Sequence, residues 1–191
     1  GDIIAGTSGQ MMLEGTGGNS NIGNAHGISI NGAGSTISSH GADAVLSGFG
    51  GGTASGDANS GVDVNMSALI SAGGSGLVIV QGTGGNSAGS NNNGVRLISG
   101  GMITSSGNDV TVTGISSPTG SHLNRGIYLS GLNTKITSEG GNVTVVGQGT
   151  GTGTAGSSNG LLLVTQGMIT AGGSGTVSVT GTGGGGTGPN N

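Results

Sequence analysis

The sequence predicts an all-β chain wound as a parallel β-helix, one solenoid over residues 1–191 with six coils of about 33 residues. Three observations predict it. An isoleucine followed by a small residue returns at a constant interval, at Ile4, Ile37, Ile70, Ile103, Ile136 and Ile169, with Ala5, Ser38, Ser71, Thr104, Thr137 and Thr170 as the followers. Apolar pairs spaced two apart keep a fixed phase to that marker, and alternate residues of a strand share one face. Fifty of the 191 residues are glycine, with one Phe, one Tyr and no Trp. Such a chain lacks the large side chains of an ordinary core, so each repeat buries its aliphatic groups by stacking on its neighbours.

Within each period the first strand opens after a glycine, with apolar residues one and three positions on: Ile28/Ile30, Val62/Val64, Val95/Leu97, Ile127/Leu129 and Leu161/Leu163. The residues between them, Ser29, Asp63, Arg96, Tyr128 and Leu162, share no chemistry. Packing constrains only the inward face. The second strand is centred on the marker isoleucine, as in Met102-Ile103-Thr104. The third ends at Gly15, Gly48, Gly82, Gly114, Gly147 or Gly181. Its inward pairs are Met11/Leu13, Ala44/Leu46, Val78/Val80, Val110/Val112, Val143/Val145 and Val177/Val179. The repeats closing at Gly82 and Gly181 carry one extra residue in the preceding turn, yet the pair stays fixed to the glycine. A one-residue slip would turn the apolar face outward, so the turn is expected to absorb the insertion.

A looser arm of about a dozen residues, rich in Gly, Ser and Asn, leads to the next first strand. Asn24, Asn59, Asn92, Asn124 and Asn159 stand within three residues before the opening glycine. They read either as a ladder of side-chain amides along the stack or as residues that tolerate turns. A second folding, with each period making two thinner coils, is the alternative to three strands and an arm. Six coils give a rod on the order of 30 Å long. The sequence ends inside the sixth arm, at Gly188-Pro189-Asn190-Asn191. Neither end reads as a polar cap, so open strand edges are expected at both.

Composition excludes several classes. Disorder is the usual reading of such glycine content, but isoleucine kept in register over six periods opposes it. Three scattered cations, Arg96, Arg125 and Lys135, against a formal net charge of −4 supply no basic stripe for nucleic acid. No apolar run reaches the length of a membrane-spanning helix, roughly 18 residues or more. The chain has no cysteine, which removes disulfides and thiolate metal sites.

No catalytic residues, metal ligands or cofactor site emerge, and the chain is expected not to be an enzyme. Asp43 and Asp109 share a repeat position two coils apart, about 10 Å by the strand spacing, with Gly76 between them. That separation suits an inverting carboxylate pair, but no basic or aromatic substrate-holding residue accompanies it. His26, His40 and His122 fall at unrelated repeat positions, unlike convergent metal ligands. Asp63 and Arg96 are outward neighbours expected to make a weak surface ion pair.

Two rows form a candidate contact face. The residues before the markers, Ile3, Thr36, Leu69, Met102, Lys135 and Met168, make an intermittently apolar stripe that either marks a contact surface or lies under the arm. The residues after them end in Thr104, Thr137 and Thr170, a hydroxyl row of the kind ice- or glycan-binding solenoids display. The expected core ladder comprises the six marker isoleucines with Val110, Val112, Val143, Val145, Val177 and Val179.

Three motifs carry a family resemblance: GMITSSGNDVTVTG at 101–114, QGMITAGGSGTVSVTG at 166–181, and the GTGG that begins arms at Gly15, Gly82 and Gly181. With them the chain resembles the repeat regions of large bacterial surface adhesins, filamentous-haemagglutinin-like and autotransporter-passenger-like. The resemblance implies a secreted, right-handed β-helical stalk at the cell surface. Its partners would be neighbouring repeats, head-to-tail copies, or a host or environmental surface or glycan. A structural stalk segment is the leading expectation. A self-assembling filament subunit comes next, and an ice- or glycan-binding solenoid third.

Overall fold

The computed structural model describes residues 1–53, 55–151 and 156–186, so the Gly188–Asn191 stretch of the sixth arm lies outside the described residues. The described chain is all strand and turn, wound as a solenoid with three parallel sheets. The first sheet stacks β3 (Ile28–Asn31), β6 (Val62–Asn65), β9 (Val95–Ile98), β12 (Ile127–Ser130) and β15 (Leu161–Val164). The second holds the marker strands β1 (Asp2–Ile4), β4 (Thr36–Ser38), β7 (Leu69–Ser71), β10 (Met102–Thr104), β13 (Lys135–Thr137) and β16 (Met168–Thr170). The third stacks β2 (Met11–Thr16), β5 (Ala44–Phe49), β8 (Val78–Thr83), β11 (Val110–Ile115), β14 (Val143–Gln148) and β17 (Val177–Thr182). The six repeats thus resolve into five complete turns preceded by a turn of two strands.

Each interior turn supplies five aliphatic side chains to one continuous core. In the turn β9–β11 these are Val95, Leu97, Ile103, Val110 and Val112, all 0% exposed. The neighbouring turns bury the equivalent residues, including Ile70, Ile136, Val143 and Val145. Ile37 is buried, and Ile169 is partly buried against the core. Val177 and Val179 are exposed on the last turn, where the stack covers them from one side; Ile4 is exposed because it lies in register with Ser38, on the face away from the core.

The first marker is displaced by one residue. Ile3, not Ile4, pairs with Ile37, while Ile4 pairs with Ser38. The true interval to Ile37 is therefore one residue longer than the period, because this turn combines a six-residue corner (5–10) with a four-residue connector (32–35), and no later turn has both. The regular spacing from Ile4 is a coincidence of sequence. Elsewhere the expected register is found: Val78 pairs with Val110 and Val143 with Val177 across turns of unequal length.

A small device accompanies those unequal turns. Where the corner between the second and third strands has five residues, it begins with Ser39, Ser105 or Ser138. The serine Oγ donates to the carbonyl three residues on, at Ala42, Asn108 or Gly141. Where the corner has six residues the same place holds Ala5, Ala72 or Ala171. Two of these longer corners close instead through backbone, Gly76 N–H to Gly73 O and Gly175 N–H to Gly172 O, at 3.1 and 3.0 Å.

The arm is not loose. A Cβ placed on Gly15, Gly48, Gly82 or Gly114 would stand 2.2 Å from the carbonyl oxygen of Gly27, Gly61, Gly94 or Gly126. Outgoing and returning chain therefore cross backbone against backbone, and only glycine fits. The contact continues outward, with Gly50 and Gly84 against the carbonyls of Asn59 and Asn92. Stacked arms form a flat second lobe beside the aliphatic core. Inter-turn ladder bonds run on into it, such as Gly84 N–H to Ile115 O at 2.8 Å and Ser116 N–H to Gln148 O at 2.9 Å.

Candidate functional site

The asparagines of the arm divide into two groups. Asn59, Asn92 and Asn124 are fully buried and form a ladder in which each Oδ1 accepts a backbone N–H from the preceding turn. The donors are Ala25 at 2.8 Å, Asn59 at 2.9 Å and Asn92 at 2.7 Å. The Asn59 and Asn92 Nδ2 groups donate to the carbonyls of Gly56 and Gly89, at 2.8 and 3.0 Å. The ladder joins side-chain carbonyl to backbone amide rather than amide to amide. Asn24 and Asn159 stand outside it, since the corresponding places hold Ala25 and Ser158.

The acids act as staples between turns. Asp43 Oδ1 accepts the Leu77 N–H at 2.9 Å and Asp109 Oδ1 accepts the Asn142 N–H at 2.7 Å. Asp57 does the same for Ser90 at 2.6 Å. His26 and His122 accept through Nδ1 from Ser60 and Gly156, at 3.2 and 3.3 Å. Among the described residues no group of three or more His, Cys, Asp or Glu converges as metal ligands do. No helix there is long and apolar enough to cross a membrane.

On the outer face of the first sheet, Asp63 and Arg96 pair at 2.6 Å. Asp63 is 2% exposed, which corrects the expected surface pair: the carboxylate is buried, and removing Arg96 would strand a charge. Burial lowers the pKa of His26, outweighing the opposing pull of Asp63, while Arg96 adds to the depression. Further along, the Arg125 guanidinium lies 4.5 Å above the Tyr128 ring, a cation–π contact. Arg125 is buried, which lowers its pKa, and its Nη1 reaches the Leu123 carbonyl at 3.3 Å.

The two rows of the candidate contact face separate. Thr104 and Thr137 are 6% and 4% exposed, so their hydroxyls present no flat face, and Thr170 is half-buried. The marker-preceding stripe, by contrast, is not covered by the arm. Leu69 and Met102 are half-buried, and Met168 is 48% exposed. Lys135 lies between Met102 and Met168 in register.

Met102, Lys135 and Met168 floor a groove of about 510 Å³, walled by Leu132, with Ser67, Asn133 and Gln166 at its rim. The rim is built by tight connectors between first and second strands. Ser67, Gly100, Asn133 and Gln166 all have positive φ, at 60°, 85°, 62° and 67°. Three connectors close with a carbonyl-to-amide bond, Asn65 to Ala68, Ile98 to Gly101 and Val164 to Gly167, as type I′ turns do. The connector after β12 has one residue more, and it extrudes Leu132, 66% exposed. Thr134 fixes it: its Oγ1 donates to Ser130 O at 3.0 Å and accepts the Gly100 N–H at 2.8 Å. Sequence reasoning found Met102 and Met168, placed Leu69 on the same stripe although it lies outside this groove, and missed Leu132, whose only signal was the longer connector.

Fold and surfaces together define a parallel β-solenoid repeat protein. Comparison with protein-family models, curated proteins and solved structures finds no match.

Proposed function

We propose that the chain is a non-catalytic structural segment of an extracellular bacterial adhesin or surface fibre, serving as a stiff, protease-resistant spacer. One observation carries this reading: three parallel sheets and a glycine lobe run through the described chain without a break in register. A stack in which every turn is bonded to the next resists bending and leaves little backbone for a protease to engage. The polar side chains support it too, since Asn59, Asn92, Asp43 and Asp109 are spent on joining turns.

Two experiments test the proposal. Antibody raised against the folded chain should label intact source cells, and label that appears only after permeabilisation would overturn the surface location. In force spectroscopy the chain should give a sawtooth of one-turn events, each releasing about 110 Å of extended chain per repeat. Smooth extension at low force would remove the spacer role.

A further inference from the structure

We propose that the groove over the second sheet docks an extended peptide segment in which a carboxylate and an apolar side chain two residues away share one face. This goes beyond the spacer reading and is independent of it.

The floor is Lys135, bracketed by Met102 and Met168 on the adjacent strands. The ammonium makes no hydrogen bond or ion pair among the described residues, where Arg96–Asp63 is the salt bridge found. Its surroundings are thioether and aliphatic groups, with Leu132 as a wall and no acid lining the groove. An unpaired cation in an apolar setting favours a carboxylate ligand, because partial desolvation strengthens the attraction. Methionine side chains flex to accept different apolar shapes. Around the rim, Ser67, Asn133 and Gln166 offer a hydroxyl and two carboxamides that bond no other described side chain or backbone group. These suit peptide N–H and C=O groups.

The same features argue against other occupants. A second copy docked groove to groove about a two-fold axis would bring two Lys135 ammonium groups together. An anionic lipid surface calls for a cluster of basic residues, and this groove holds Lys135 alone. No aromatic ring lines it for a sugar to stack on. A fatty acid would satisfy Lys135 and the methionines but leave the polar rim unused.

The test uses the full chain labelled with ¹³C at the methionine methyls. The probes are acetyl-Leu-Ser-Glu-Ser-Leu-amide, whose Leu and Glu share one face when extended, its Gln counterpart and decanoate. The Glu peptide should shift the Met102 and Met168 methyls saturably and leave Met11 and Met12, on the third sheet, in place. Binding should weaken about five-fold for the Gln peptide and for Lys135→Gln. Leu132→Ser should also weaken it, and both variants should keep the melting temperature because their side chains point outward. No saturable shift, equal binding of the Gln peptide, or undiminished binding to Lys135→Gln would overturn the proposal. Decanoate binding as tightly as the Glu peptide would overturn the peptide assignment in favour of a lipid carboxylate.

Discussion

The aliphatic core and the glycine lobe repeat along the same axis at the same strand spacing, yet they are held by different physics. In the core, side chains set the distances: Leu97, Ile103 and Val112 fill the prism and are 0% exposed. In the lobe, backbone sets them: Gly114 meets the Gly126 carbonyl with no side chain between, and buried asparagines bond the turns. Burial of apolar area stabilises the first, non-directionally and in proportion to area. The second depends on directional bonds whose loss leaves buried amides unsatisfied. The comparison teaches that a chain nearly free of aromatic residues can still order all of its period when one compartment excludes water and the other is close-packed main chain.

The largest effect is expected at the junction of the two. Gly114→Val puts side-chain atoms where even a Cβ would lie 2.2 Å from the Gly126 carbonyl oxygen. The variant should lose its β-sheet circular dichroism at room temperature, whereas Gly18→Ala, with nothing within 4 Å, should melt as the parent does. A folded Gly114→Val chain would break the claim that backbone contact defines the lobe.

Next come matched deletions, one in each compartment. Ile103→Ala should cost about 2–5 kcal/mol through lost burial and a cavity. Asn92→Ala should cost about 1–3 kcal/mol, since the Asn59 N–H, bonded at 2.9 Å, is left unsatisfied. Urea unfolding of both variants measures the pair. An Asn92→Ala chain as stable as the parent would show that the lobe rides passively on the core.

A smaller effect is expected at the corners. Ser138→Ala removes the bond from Oγ to the Gly141 carbonyl and should cost about 1 kcal/mol. Adding one glycine after Glu139 should recover part of it, because six-residue corners carry alanine at that place. Melting curves of the single and combined variants decide whether serine and corner length are linked.

The smallest concerns pH. The folded-state pKa of His26 lies below its ordinary 6.5, chiefly from burial. The unfolded chain therefore binds the proton more readily. Stability from the neutral imidazole is complete above the unfolded value and declines as pH falls through the folded one. His26→Gln should flatten the fall in melting temperature between about pH 7 and pH 5, and an unchanged slope would exclude His26 as a source of acid sensitivity.

By itself the sequence determined the period, the three strands and the inward pairs, because β alternation and stacking write themselves into one dimension. Val110/Val112 and Val143/Val145 could be placed in the core without coordinates. So could the absorption of extra residues by turns. Only the tertiary structure decided which isoleucine begins the ladder, since Ile3 and Ile4 are both apolar and the choice rests on the register of a neighbouring turn. It also decided that Thr104 and Thr137 are buried, that Asp63 is not on the surface, and that Leu132 walls a groove. Those outcomes depend on what the next turn and its connector place overhead, a contact between residues a full period apart in sequence. Local periodicity fixes which way a side chain leaves the strand; what it then meets is settled by packing between turns.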